Sequence, residues 1–128
     1  MPFKATPGSA CYDIYSIDDG YLYHSKDFVF GTGLSVEVPK GYMLEIRPRS
    51  GLASHGVILS NSPATIDSDY RGEIRILITK VTNGSYEIKK GDRIAQIRLV
   101  ELVPTEFEEV EELSKTERGE GGLGSTGR

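Results

Sequence analysis

Four patches of this 128-residue chain place chemically useful residue types at short spacing. Residues 47–53 read Arg-Pro-Arg-Ser-Gly-Leu-Ala, so Arg49, Ser50 and Gly51 follow the end of an alternating run. A guanidinium fork, a hydroxyl and backbone N–H groups freed by glycine suit phosphate oxygens, although a capped turn with a surface arginine has the same composition. Residues 66–73 hold Asp67, Asp69, Tyr70 and Glu73. If this segment is extended, Asp67 and Asp69 share one face and Ser68 and Tyr70 the other. Two such carboxylates could do metal or general-base work, and aspartates are equally common as turn formers. Residues 8–13 are small side chains leading to one acid, Asp13. Residues 118–128 join Arg118 to a glycine-rich run whose amides could wrap a polyphosphate. That run lacks the GxxxxGK[ST] spacing and a following helix, so it is no Walker loop; taken alone, its composition is that of a flexible tail.

The elements that must position these patches read as strands. Leu34, Val36 and Val38 alternate with polar residues, as do Leu44 and Ile46 and the trio Ala95, Ile97 and Leu99, while Ile74, Ile76 and Ile78 alternate with Arg75, Leu77 and Thr79. Each run is short, β-branched and bounded by Gly, Pro, Asn or Asp, which indicates a β-sandwich or barrel. Asn83-Gly84 predicts a hairpin between residues 76–78 and 86–88, and Gly91-Asp92 marks the next turn. Phe107, Val110 and Leu113 have helical spacing, but the segment is too short and too Glu-rich to separate a helical turn from an extended arm.

Composition narrows the function classes. The chain is 38% hydrophobic and 27% charged, a globular profile that fits one domain helped by burying surface against another subunit. Residues 1–100 hold 11 acids and 12 bases, whereas residues 101–128 hold eight and three. A body so near neutrality offers no broad field for a nucleic-acid polymer, and the run of Glu106, Glu108, Glu109, Glu111 and Glu112 reads as a solvated segment. No apolar run approaches a membrane span and no signal pattern opens the chain, which predicts a cytoplasmic protein without a membrane partner. Cys11 alone cannot form an internal disulfide, and with His24 and His55 it falls short of a structural zinc site. His55 reads as a structural or surface histidine rather than a base.

Together and in order, these patches resemble the five motifs of the trimeric dUTP pyrophosphatase (dUTPase) family. Residues 5–15 resemble the first, 48–53 the second, 61–73 the third, 91–96 the fourth and 118–127 the fifth. The resemblance implies an all-β, jelly-roll-like β-sandwich that forms a homotrimer with shared active sites. Residues 1–117 would form the β domain with its acidic arm segment, and residues 118–128 a glycine-rich lid donated to a neighbouring subunit.

It also implies hydrolysis of dUTP to dUMP and pyrophosphate by water attack on the α-phosphorus. Such activity limits uracil incorporation into DNA and supplies dUMP for dTMP synthesis. Asp67 matches the general base, and Asp13 the carboxylate that holds Mg²⁺ through its water shell. Arg49, Ser50, Gly51 and Gln96 match phosphate contacts; Arg118, Gly122, Gly124, Ser125 and Thr126 match the residues that close over them. Asn61 matches the amide that reads uracil, and Tyr70 the ring beneath deoxyribose.

The sequence departs from the family pattern at four places. An upstream strand is usual where this chain has Met1. Cys11 stands for a common glycine, and Ala64-Thr65 for a Gly-plus-apolar pair in the uracil hairpin, where a positive φ would strain Ala64. Leu123 replaces an aromatic that covers the base. Two alternatives stay open: a nucleotide-sensing regulatory trimer, and a dCTP deaminase, which would need an acid that residues 75–79 do not offer.

Overall fold

The structure, a computed structural model, describes residues 1–127; Arg128, the end of the glycine-rich patch, lies outside them. In chain order it contains β1 (Tyr12–Tyr15), β2 (Gly20–Tyr23), β3 (Asp27–Ser35), β4 (Tyr42–Arg47), the helical turn α1 (Ser50–Ala53), β5 (Val57–Leu59), β6 (Ala64–Ile66), β7 (Glu73–Lys80), β8 (Ser85–Ile88) and β9 (Arg93–Glu101). They form a four-stranded sheet β1-β9-β4-β6, a three-stranded sheet β3-β7-β5 and a ribbon β2-β8, with antiparallel pairing throughout. This is the jelly-roll-like β-sandwich expected. No helix among the described residues is long and apolar enough to cross a membrane.

The alternation seen in the sequence becomes the core. Ile74, Ile76 and Ile78 of β7 turn inward against Ile14, Ile46 and Ile97 of the larger sheet, with Leu22 and Ile88 of the ribbon filling the end. Each fully buried Ile or Leu contributes about 1.5–3 kcal/mol of transfer free energy, so the interleaved faces hold the layers together. Arg75, between Ile74 and Ile76, stays outside.

Two local expectations change. Strand β3 ends at Ser35, and Val36 to Val38 leave the ladder although Val38 is still buried. Asn83-Gly84 does not close a hairpin: β7 pairs with β3 and β5 on its two edges, so β8 pairs with β2 instead. Only Gly84 of that dipeptide has positive φ, whereas the two-residue hairpin turn needs it at both positions. The segment containing Phe107 and Leu113 is neither helix nor strand, and both side chains are exposed.

Candidate active site

Register brings the first site residues together. Asp13 of β1 stands opposite Gln96 of β9, which stands opposite Arg47 of β4. Directly opposed residues share a sheet face, so one row across three strands carries a carboxylate, an amide and a guanidinium. Beyond Arg47 the chain passes through Pro48 to Arg49, whose extended backbone (φ −92°, ψ 133°) starts α1. Arg49 thereby turns back over the row.

Asp13 is 3% exposed, and both of its oxygens are occupied. Arg49 donates from Nε to Oδ1 at 2.9 Å, Gln96 from Nε2 to Oδ1 at 3.2 Å, and Arg93 from Nη1 to Oδ2 at 3.1 Å. Arg49 Nη1 also donates to the Arg93 carbonyl at 3.1 Å. Two guanidiniums around one carboxylate leave a net positive charge at the surface, with the Arg93 side chain 45% exposed. That arrangement is chemically suited to an anion with several oxygens.

Arg93 was not among the residues singled out from the sequence. Strict alternation in β9 puts it on the face opposite Gln96. A register shift between Ile14 and Tyr15 breaks that alternation, and such bulges re-aim side chains. The signal present in the sequence was the Gly91-Asp92 turn directly before it: Asp92 Oδ2 accepts the Lys89 N–H at 2.8 Å and Gly91 has φ +92°.

Ser50 and Gly51 occupy the first turn of α1. As in any helical start, their N–H groups have no acceptor within the turn. A side chain at Gly51 would meet nothing within 4 Å, so this surface is open. His55 Nδ1 lies 2.9 Å from the Gly51 carbonyl, and Ser54 Oγ donates to the same oxygen at 2.8 Å. The histidine is thus structural, as its sequence position suggests.

Asn61 lies in the connection from β5 to β6. These strands do not form a hydrogen-bonded hairpin: β5 pairs with β7 and β6 with β4, so the connection crosses between sheets. Ala64 sits in regular strand opposite Ile46, and among the described residues Ser25 is the one non-glycine with positive φ. No glycine conformation is required at position 64. Beside this connection lies a cleft of about 320 Å³, lined by Cys11, Arg47, Pro48, Ser62, Pro63 and Gln96.

Asp67 follows β6, and the extended reading of its neighbours fails: the chain turns at Ser68-Asp69, with the Tyr70 N–H bonded to the Asp67 carbonyl at 3.2 Å. Arg71 Nη1 closes the turn on the carbonyls of Ser68 (2.8 Å) and Tyr70 (3.0 Å). Tyr70 Oη donates to the Glu73 carbonyl at 3.0 Å, and its ring lies across Gly72, where a Cβ would approach Cζ to 2.6 Å. The Asp67 carboxylate is exposed and makes no hydrogen bond among the described residues.

The structure does not bring Asp67 to Asp13. Antiparallel pairing sets Ile66 opposite Leu44, so the chain leaves the sheet at the end remote from Arg47. Strand rise and spacing put the two carboxylates on the order of 20 Å apart. Nor does it bring in the terminal segment. Arg118 Nε donates to the Gly121 carbonyl at 2.8 Å and Ser125 N to the Gly122 carbonyl at 3.1 Å, all local turns. Among the described residues, Gly122, Leu123, Gly124, Ser125 and Thr126 make no hydrogen bond to the sandwich, and Leu123 is fully exposed.

Metal chemistry is constrained by the donors. Among the described residues no group of three or more His, Cys, Asp or Glu side chains converges on a point. The one free lone-pair direction of Asp13, on Oδ2, lies beside the Arg93 guanidinium, so charge repulsion disfavours direct ligation of a cation there. The donor set therefore fits only a cation that brings its own water and phosphate ligands, with one remaining lone-pair direction on Oδ2 as an outer contact.

Known proteins resemble this chain along its whole length. The dUTPase family model matches residues 1–127. A deoxyuridine 5'-triphosphate nucleotidohydrolase of Nautilia profundicola is 50% identical, covering 100% of this chain and 91% of that protein. Its counterpart in Zymomonas mobilis is 45% identical, covering 99% and 88%. The dUTPase of Staphylococcus bacteriophage 80alpha with dUPNHPP has a TM-score of 0.91 at 30% identity, covering 100% of this chain and 92% of that one. A mutant dUTPase from phage phi11 of S. aureus, described with a structural Mg(II) ion, has a TM-score of 0.79 at 26% identity, covering 88% and 90%. The family model spans residues 1–127 and the Nautilia relative aligns over the whole chain, so the chain belongs to the dUTPase family.

Proposed function

We propose that this protein hydrolyses dUTP to dUMP and pyrophosphate. The observation that carries the reading is the full-length match, at 50% identity, to a nucleotidohydrolase of that substrate. The geometry supports it: the Arg49–Arg93 pair held by Asp13, the Gln96 amide and the open N–H groups of Ser50 and Gly51 form one polyphosphate-sized surface.

In this reading water attacks the α-phosphorus, the bond to the bridging oxygen breaks, and pyrophosphate leaves with the electron pair. Asp67 orients the water and takes its proton. Arg49, Arg93, Ser50 and Gly51 bind the phosphate oxygens and stabilise charge as it moves toward the leaving group. Asn61 offers its amide to the polar edge of uracil, and Tyr70 packs beneath deoxyribose, leaving no room for a 2′-hydroxyl. Arg118, Gly122, Leu123, Gly124, Ser125 and Thr126 close over the nucleotide. Mg²⁺ held by the phosphates and water, with Asp13 as outer contact, would neutralise part of the triphosphate charge.

The active assembly is a homotrimer. Support comes from the separation of Asp67 from the Asp13 row, which requires a second copy to complete the site. A detached terminal segment is suited to reach a third copy. Leu99, Leu102, Val103 and Phe107 are exposed large apolar residues along the route to that segment, as an intersubunit contact requires.

A regulatory reading has one observation in its favour: the phage 80alpha dUTPase is described as controlling transfer of virulence genes. Pyrophosphate release from dUTP, dCTP, dTTP and UTP, with and without Mg²⁺, tests the proposal. Selective release from dUTP is expected. Release from dCTP with deamination, or no release at all, overturns it.

A further inference from the structure

Lys80, the last residue of β7, is 4% exposed and has no carboxylate partner among the described residues. Its ammonium is instead ringed by neutral oxygens. Nζ donates toward the carbonyls of Thr82 at 3.1 Å, His55 at 3.2 Å and Asn83 at 3.2 Å, and toward Thr82 Oγ1. Burying a cation without a counter-charge is costly, and apolar side chains would fill a sandwich interior more cheaply. The geometry of what it holds accounts for its place.

The His55 carbonyl also accepts from Thr82 Oγ1 at 3.2 Å, while the His55 ring bonds the Gly51 carbonyl at 2.9 Å. Gly56, next in the chain, has φ +72° and lies so close to Thr82 that a Cβ would come within 2.6 Å of its Cγ2. The Gly56 carbonyl accepts from Val81 N at 2.8 Å. A continuous set of polar contacts thus runs from the end of β7, through His55, to the turn that presents Ser50 and Gly51. Four residues of helix have too little cooperativity to hold that turn alone.

We propose that Lys80 is a positioning residue for phosphate binding, acting through His55 to fix the Ser50–Gly51 turn. This rests on the nucleotide-hydrolysing reading above. Because Asn61 and Tyr70 lie on the separate segment 61–73, Lys80 governs the phosphate half of the site and leaves the nucleoside half alone. Misplacement of a binding turn by about 1 Å can cost up to about 100-fold.

The test compares wild type, Lys80→Met, Thr82→Val and Phe30→Leu, the last a core truncation in β3 opposite Ile76, four residues along β7 from Lys80. Affinities for dUpNHpp and for deoxyuridine are measured by titration at a temperature where each variant is folded by circular dichroism. Lys80→Met is expected to weaken dUpNHpp by about tenfold or more, with deoxyuridine changed less than about twofold. With dUTP the loss should fall on KM more than on kcat. Thr82→Val should show the same selectivity at smaller size, and it decides the matter if Lys80→Met does not fold. Phe30→Leu should lower the thermal midpoint without selectivity. Unchanged dUpNHpp affinity, or equal losses for both ligands, overturns the proposal. Turnover of dUTP by wild type is scored separately: no turnover with the selective loss intact refutes the hydrolytic reading and leaves the positioning role standing.

Discussion

Arg49 Nε meets Asp13 Oδ1 at 2.9 Å, with the carboxylate buried and the guanidinium side chain 22% exposed. The acid faces inward as an anchor, and the cation keeps an edge for a ligand. Arg93 repeats the arrangement on Oδ2. Asp13→Ala should therefore release two arginines at once. Breaking such a pair costs about 2 kcal/mol here, less than for a fully buried pair because both arginines can turn to water. Urea denaturation should show that loss. kcat/KM should fall further than for Arg93→Gln, which removes one contact.

Asp67→Asn should bind dUpNHpp with nearly wild-type affinity and lose turnover by about 100-fold or more. The Asp67 side chain supports no neighbouring contact among the described residues, so the fold should not register its loss. Pyrophosphate release and analogue titration on the same preparation check this. Undiminished hydrolysis removes Asp67 from the mechanism.

Deleting residues 118–128 should leave stability within about 0.5 kcal/mol, because the described part of this segment makes no hydrogen bond to the sandwich. Turnover should drop by about 100-fold or more if the segment supplies phosphate donors. Equal activity of the truncated and full chains refutes the lid role of Arg118 and the glycines. Thermal unfolding and initial rates suffice.

The sandwich was legible because the alternation of Ile74, Ile76 and Ile78 and of Ala95 and Ile97 is a direct record of which face is buried. Pairing was less so. Asn83-Gly84 looks like a hairpin from its own residues, but the partner of β8 is decided by which edges of β7 are already occupied. The same limit hid Arg93, since a one-residue register shift reverses a face and leaves no mark in composition. Asp13 is a candidate from its own motif, yet its bonds to Arg49, Arg93 and Gln96 join positions far apart in the chain. Lys80 offered no motif at all: a lysine at a strand end looks like a surface residue until its acceptors are seen.

Acid should weaken the junction of β3 and β7 first. Glu73 Oε1 accepts the N–H groups of Gly33 at 2.8 Å and Thr32 at 3.1 Å. The Gly33 bond is the main cause holding its carboxyl below the ordinary value of about 4.5, with Arg75 assisting. A depressed folded value means that the contribution is complete above about pH 4.5 and is lost as pH falls through the folded value. Glu73→Gln keeps an acceptor oxygen without the charge. Its thermal midpoint should be lower than wild type at pH 7 and should fall less steeply between about pH 5 and 3. Parallel curves for the two proteins would exclude this role.

Gly72→Ala tests whether Tyr70 is held where a sugar selector must be. The Tyr70 ring covers Gly72 so closely that an added Cβ would sit 2.6 Å from Cζ. The methyl must push the ring away, and the bond from Tyr70 Oη to the Glu73 carbonyl goes with it. Both groups are on an exposed turn, so the stability cost should stay near 1 kcal/mol. Discrimination should suffer more: a displaced ring no longer blocks the 2′-hydroxyl, and the ratio of kcat/KM for dUTP over UTP should fall by about tenfold or more. Tyr70→Phe keeps the ring and loses only the hydroxyl bond, so it should retain most of the ratio. If Gly72→Ala lowers both substrates equally, the ring serves the fold of the turn and sugar selection lies elsewhere.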